Sequence, residues 1–259
     1  MSLNFVFIGA GNLATHLSQA IVKSGNNLLQ VYSRTESSAK ELAEKLNTSY
    51  TTSLNEINID ADIYFVALAD SAFSEILPQI NFQNKLVVHC SGSLPLSVLE
   101  KYSANFGVFY PLQTFSKQRE VNFAEIPVFI EANSKENEAV LFQIGRQVSN
   151  SVTILNSEKR KYLHIAAVFA CNFVNHFYTI SAEILKEKEI PFDVLKPLIL
   201  ETAKKVQEIE PVKAQTGPAV RFDENIISSH LEELKGVRNF AELYKSISKS
   251  IFEFQQQSE

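Results

Sequence analysis

Short unbroken apolar runs alternate with amphipathic stretches through the first 155 residues of the chain. The runs at 4–8, 29–32, 63–68, 86–90, 107–110 and 128–131 have the length of strands. Their lack of apolar–polar alternation suits a sheet covered on both faces. A last strand is predicted at 152–155. Between these runs, residues 12–24 carry Leu13, Leu17, Ala20 and Ile21 at helical spacing, with Gly25 placed to end the helix. Residues 37–46 carry Ala39, Leu42, Ala43 and Leu46 on one face. Further helices are predicted at 72–79, at 95–102, where Pro95 suits a first turn, and at 135–148. Strands alternating with helices predict a doubly wound parallel α/β sheet.

From residue 156 onward the pattern predicts helices alone. Residues 157–188 read as one helix of about 30 residues, roughly 45 Å long. Its middle, 164–174, is apolar nearly all round, and such a helix must be buried on most sides. Pro191, Pro197, Pro211 and Pro218 punctuate the remainder, with helices at 194–210, 224–235 and 240–254 and a polar tail, 255–259, expected to fray. The predicted domains are therefore 1–155, α/β, and 156–259, all-helical. A helical domain built around an all-apolar helix is short of its own cover. A second subunit would supply that cover, so a homodimer through the helical domain is expected.

Composition removes several function classes. A net charge of −5 offers no basic face for nucleic acid. Cys90 and Cys171 each lie in an apolar run and read as buried free thiols, and no ligand-spaced Cys/His cluster suggests a metal. The N-terminus lacks the basic segment and cleavage site of a signal peptide. The longest apolar stretch, 165–171, reads as too short to span a bilayer. A cytoplasmic protein with no membrane partner is expected.

The chemistry begins at the first strand. It runs directly into Gly9-Ala10-Gly11-Asn12-Leu13-Ala14 and then into a helix. Gly9 permits the sharp turn and Gly11 lets backbone approach a pyrophosphate. Ala14 keeps helix and strand close, the arrangement of a Rossmann dinucleotide site. Where an NAD site offers an acid at the end of the second strand, this chain offers Ser33-Arg34-Thr35. Arg34 can clamp a 2′-phosphate and the two hydroxyls can donate to it, which points to NADP. Ligands in such sheets sit beyond the carboxyl ends of the strands. Leu68 and Ala69 are thus placed under the cofactor. Asp70 is there too, where it reads as a helix cap more readily than as a catalytic group. Ser91, Gly92 and Ser93 stand where the nicotinamide end belongs, either as ligands or as a plain turn. Gln113 and Thr114 follow the fifth strand on the same edge and could line a substrate pocket or satisfy loop backbone.

These features, with a helical second half, resemble pyrroline-5-carboxylate reductases and β-hydroxyacid dehydrogenases. They resemble more narrowly a family of Rossmann-like NADP oxidoreductases whose C-terminal half is a helical domain of unknown function. The segments carrying that resemblance are 89–96, 107–115, 164–173 and 216–221. It implies a small-molecule oxidoreductase with its substrate beside the long helix.

On that helix His164 is the candidate acid/base group, and Asn172 would orient substrate. His164 can equally be read as a hydrogen-bonded core histidine. Eleven residues at about 100° each bring Asn175 to within about 20° of His164, placing it on the substrate face. Thr216 and Gly217 either reach a cleft or form an interhelical turn. β-Hydroxyacid dehydrogenases use a Lys followed four residues later by Asn. Lys159 and Lys161 have Leu163 and Ile165 at that spacing, so that chemistry does not transfer. A deazaflavin-dependent NADP reductase shares the N-terminal pattern, but the long helical half argues against it. The expected activity is hydride transfer between NADP(H) and a small carbonyl, hydroxy-acid or imine compound. The alternative is an NADP-binding sensor that catalyses nothing.

Overall fold

The computed structural model describes residues 2–257. The chain divides into two compact units, Met1–Asn172 and Phe173–Glu259.

The first unit holds an eight-stranded sheet in the order β3-β2-β1-β4-β5-β6-β7-β8. Its strands are β1 Asn4–Ile8, β2 Asn27–Tyr32, β3 Ser49–Thr51, β4 Ile63–Val66, β5 Leu86–His89, β6 Phe106–Pro111, β7 Val128–Ala132 and β8 Val152–Ile154. The apolar runs are buried on both faces because side chains alternate across a strand. Phe5 and Phe7 of β1, Ile63 and Phe65 of β4, and Leu86 and Val88 of β5 enter one core. Val6, Ile8, Tyr64, Val66 and Val87 enter the other. Phenylalanine knits the first core, with Phe65 stacked 5.1 Å from Phe7 and edge-on to Phe109 at 5.5 Å.

The sheet is parallel from β3 to β6, but β7 runs antiparallel to β6, and β8 is parallel to β7. The expected doubly wound sheet is present and mostly parallel, and the β6–β7 pair is its one antiparallel step. Strand direction depends on the connection, and no crossover helix links β6 to β7. That loop closes on itself through the Leu112 N–H donating to the Pro127 carbonyl at 2.9 Å, returning the chain antiparallel. The three-residue β3 was too short to register as an apolar run.

Helices α1 Asn12–Lys23 and α2 Glu36–Leu46 turn their predicted faces to the core, and α3 Lys135–Val148 forms over its predicted range. Gly25, at φ +90°, comes just after α1 as expected. The helix predicted at 72–79 is three short turns, Asp70–Ala72, Phe73–Ile76 and Leu77–Gln79. Pro78 cannot continue an α-helical ladder. At 95–102 only the 3-10 turn Leu96–Leu99 forms.

The long helix α4, Ser157–Lys186, is present but not regular: Val168–Phe173 is a π-turn. The shared face read for His164 and Asn175 assumes unbroken α geometry, which Val168–Phe173 does not have. α4 is also long and apolar enough to cross a membrane by length and composition alone, and none of its apolar window is buried. That corrects the reading of 165–171 as the limiting stretch, because sparsely charged positions on either side extend it. Cys171 is exposed on this helix rather than buried; Cys90 is buried, which pushes its thiol pKa up.

The second unit contains the rest of α4, then α5 Lys196–Glu208, α6 Glu224–Glu233 and α7 Phe240–Gln256. Turns Pro211–Ala214 and Pro218–Arg221 separate α5 from α6. Ala219, Ile227 and Phe240 are buried, while Val194, Leu198, Leu200 and Val206 are exposed. Gln255 and Gln256 continue α7; Ser258 and Glu259 lie outside the described residues.

Candidate functional site

The chain leaves β1 for β2 on one side and then crosses to β4 on the other, so the carboxyl ends of β1 and β4 form a switch point of the sheet. Gly9 sits there at φ +122°, and a Cβ on it would fall 2.3 Å from the Ala67 carbonyl oxygen and 3.5 Å from Leu68. Only glycine fits that turn, which brings the 67–69 segment against it. A Cβ at Gly11 would meet nothing within 4 Å, so the space before α1 is open. Gly11 caps α1, no side chain satisfies the first turn, and that turn carries no acidic residue. The first N–H groups of a helix lack internal acceptors and form a positive pole, so Ala10–Leu13 offer a backbone cradle for phosphate.

Ser33, Arg34 and Thr35 directly follow β2. Arg34 is exposed and makes no ion pair among the described residues. The neighbouring acid, Glu36, accepts from the Tyr50 hydroxyl at 3.4 Å. A guanidinium without an ion pair, flanked by two hydroxyl side chains at the end of the strand next to β1, fits a dinucleotide carrying a 2′-phosphate whose pyrophosphate meets the start of α1. Asp70 does not cap as expected: Ala69 holds the cap position, and Asp70 already lies inside the turn.

After β5, the Ser91 hydroxyl accepts from the N–H groups of Ser93 and Leu94, both at 3.1 Å. That hydroxyl serves the turn itself. Gly92 between them is buried, and a Cβ there would fall 2.7 Å from His164 Nδ1 and 2.9 Å from Tyr110 Cζ. Tyr110 Oη and His164 Nδ1 are hydrogen-bonded at 3.0 Å, with the rings edge to face. Burial raises the pKa of the Tyr110 phenol, offset in part by the charge of Arg160, so the hydroxyl keeps its proton at neutral pH. It can then donate to Nδ1 of a neutral ring, leaving Nε2 as the protonated nitrogen.

The pair opens on a cleft of about 640 Å³, lined by Tyr110, Gln113, Thr114, His164, Cys171 and Asn172 with Leu112, Phe115 and a run of alanines on α4. That volume suits a small ligand. The Gln113 side-chain oxygen accepts from the Thr114 N–H at 2.8 Å, which shapes the loop. The same loop reaches the glycine turn: Asn12 donates to the Phe115 carbonyl at 3.0 Å, and His16 stacks on Phe115. Of the other predicted residues, Asn175, Thr216 and Gly217 belong to the second unit. There Thr216 lines an apolar cavity of about 330 Å³ with Phe177, Phe240 and Tyr244, and Gly217 takes φ +105°.

Several residues beneath the cleft escaped the sequence reading. Arg160, one turn before His164 on α4, is 1% exposed. Its Nη1 pairs with Glu131 of β7 at 2.5 Å, and its Nη2 donates to the Leu94 carbonyl at 2.6 Å. Ser157 donates to the same Glu131 carboxylate at 2.7 Å and accepts from the Leu96 N–H at 2.8 Å. Tyr110 lies inside a motif singled out as a whole, but nothing local marked its hydroxyl. His89 is fully buried and accepts at Nδ1 from the Ser91 N–H at 3.2 Å. Burial, reinforced by the charge of Arg160, pushes its pKa down to about 3.

The His89 shift has a thermodynamic consequence. The unfolded chain takes up a proton near the ordinary histidine pKa, whereas the folded chain resists until about pH 3, so stability is lost as pH falls through that window. From about pH 6.5 to about pH 4.5 the loss due to this group is about 2 kcal/mol. Denaturant titrations across that range should show a shallower acid slope for His89→Gln than for the wild type. Parallel slopes would contradict the assignment.

Comparison with known proteins agrees with this geometry. Residues 4–92 match the family described as "NADP oxidoreductase coenzyme F420-dependent", and residues 126–251 match a domain of unknown function, DUF2520. No match was found among curated protein sequences. A solved structure of a "putative NADP oxidoreductase" from Bacteroides fragilis is 53% identical, covers 97% of this chain and 98% of its own, and superposes with a TM-score of 0.94. The fold is shared more distantly by a 1-pyrroline-5-carboxylate reductase from Streptococcus pyogenes at 14% identity and TM-score 0.64, covering 97% of this chain and 99% of its own. It is also shared by an imine reductase from Myxococcus stipitatus in complex with NADP+, at 15% identity and TM-score 0.66, covering 98% and 93%. With an open phosphate cradle, a free arginine after β2 and a full-length relative at this identity, the chain belongs to the family of Rossmann-type NADP oxidoreductases that carry a C-terminal DUF2520 domain.

Proposed function

We propose that this protein is an NADPH-dependent reductase of a small carbonyl or imine compound, working in the cleft beside His164. In this reading the backbone of Gly9, Ala10, Gly11, Asn12 and Leu13 holds the pyrophosphate. Ser33, Arg34 and Thr35 hold the 2′-phosphate, and Leu68, Ala69, Asp70, Ser91 and Gly92 flank the rest. NADPH, when bound, supplies a hydride to the carbon of a C=O or C=N bond. The heteroatom then needs a proton, and His164 is the donor. The neutral ring first takes a proton from solvent at Nδ1, the Tyr110 hydroxyl turning to accept from it, and in the resulting imidazolium Nε2–H donates to the substrate. Passing on the Nε2 proton leaves a neutral ring still held at Nδ1. Asn172, Gln113, Thr114 and Ser93 orient the substrate, and the apolar wall of α4 excludes water. The observation that carries this reading is the hydrogen-bonded Tyr110–His164 pair packed on Gly92 at the edge of the open cleft.

The cofactor half is tested by thermal melts with each dinucleotide. NADPH should raise the melting temperature and NADH much less. Arg34→Ala should weaken NADPH by about 1–3 kcal/mol while leaving NADH unchanged. Equal protection by both dinucleotides would sink the Ser33–Thr35 assignment. The catalytic half is tested by NADPH oxidation against pooled 2-oxo acids, aldehydes and cyclic imines. Tight binding with no turnover would favour the sensor.

We further propose a cytoplasmic homodimer assembled through the helical domain. The exposed apolar side chains of α4 and α5 support it, since a soluble monomer rarely leaves so much apolar surface bare. Light scattering should give twice the mass of one chain without detergent. A monomer, or extraction only with detergent, would overturn the proposal.

A further inference from the structure

We infer that Arg160 is a positioning residue that holds the Tyr110–His164 pair in register by tying the helix that carries His164 to the strand paired with that of Tyr110 and to the loop that carries Gly92. This rests on the reading of His164 as the proton donor.

Each element contributes one spoke. α4 carries Arg160 four residues before His164, so both lie on one face of the regular part of that helix, upstream of the π-turn. β7 carries Glu131, whose carboxylate meets Arg160 Nη1, and β7 is the antiparallel neighbour of β6, which carries Tyr110. The loop after β5 carries the Leu94 carbonyl, which accepts from Nη2, two residues beyond the Gly92 backbone against which both rings pack. Ser157 doubles the link, joining Glu131 to the Leu96 N–H and accepting from Nη2 at 3.2 Å. A planar guanidinium with several fixed donors can satisfy a carboxylate and a carbonyl in set directions at once, whereas an ammonium cannot reproduce that fork.

The arrangement is expensive for mere packing, because burying a charge is costly and an apolar side chain would fill the same space. Arg160 also leaves Nε without a partner, so it is not optimised for hydrogen bonding alone. What it delivers is direction. Without the fork, the loop bearing Gly92 and the helix bearing His164 lose their common anchor, and the 3.0 Å contact between Tyr110 and His164 loses its support.

The test reads the imidazole directly and needs no substrate. The full-length protein is labelled with 15N-histidine, and the His164 ring signals are assigned among the five histidines by His164→Gln. In the wild type, Nδ1 should report a hydrogen-bonded acceptor and Nε2 a protonated nitrogen. Tyr110→Phe removes that bond and marks the released state. Arg160→Lys keeps the charge and loses the fork; its His164 signals should move toward the released state. Should Arg160→Lys fail to fold, Ser157→Ala removes one spoke and should move the same signals part of the way. His164 signals at wild-type positions in every folded variant, alongside a shifted Tyr110→Phe, would overturn the inference. A silent substrate screen would defeat the proposed reaction yet leave this readout intact.

Discussion

Glu131→Ala is expected to cost about 3–5 kcal/mol of folding stability, a large share of what a domain of this size has. The loss comes from the partner left behind. Arg160 is 1% exposed and cannot recover hydration when its carboxylate is removed. An uncompensated buried charge is the most destabilising result of a single substitution at such a pair. Glu131 also accepts from Ser157, so the start of α4 loses a second bond to β7. Surface pairs offer the contrast. Lys196–Asp193 and Lys213–Glu210 are solvent-exposed, and their removal should change stability by less than about 1 kcal/mol. The double variant Glu131→Leu with Arg160→Met should recover much of the loss, because an apolar pair of similar volume leaves no charge to solvate. Denaturant melts of the single and double variants measure this. A Glu131→Ala protein as stable as wild type would mean that Arg160 is not buried as described.

The second large effect concerns turnover. His164→Ala should lower the rate of NADPH-dependent reduction by about 10²–10⁴-fold, the usual worth of a positioned proton donor. NADPH binding should be unaffected, since His164 belongs to the cleft at the end of β6 and not to the phosphate cradle at α1. Tyr110→Phe should fall between His164→Ala and wild type, as the imidazole stays but its tautomer and direction are no longer fixed. Steady-state rates and a separate binding titration distinguish these effects. A His164→Ala enzyme of unchanged rate would remove the histidine from the mechanism.

Much of this arrangement is legible in the sequence, and for definite physical reasons. The Gly9-Ala10-Gly11 turn is dictated by backbone geometry, and 67–69, 91–93 and 113–114 all lie at carboxyl ends of strands that alternation with helices made parallel. Ser33-Arg34-Thr35 is readable because its position after β2 fixes which part of a dinucleotide it can meet. Other features leave no local trace. The Arg160–Glu131 pair joins residues 29 apart, and Arg160 lies between Lys159 and Lys161, where it reads as one more solvated charge. The helical spacing of Arg160 and His164 is the one available hint. The π-turn is hidden because Val168–Phe173 holds a single polar residue, Asn172, too few to define a polar face whose rotation would betray it. The reversal of β7 leaves a fainter trace: no helix is predicted between residues 110 and 128 to carry a parallel crossover, while the apolar run itself reads the same in either strand direction.

Reduction at the expense of NADPH in the cleft beside His164 is tested most directly with the purified wild-type protein and His164→Ala. Each is saturated with NADPH and mixed with pools of cyclic imines, aldehydes and 2-oxo acids, and NADPH fluorescence is followed. At least one pool should consume NADPH with the wild type, and NADH should not substitute. His164→Ala should bind NADPH equally but leave it unoxidised. Tight NADPH binding with no consumption in any pool, or equal consumption by both proteins, would contradict this role for the cleft.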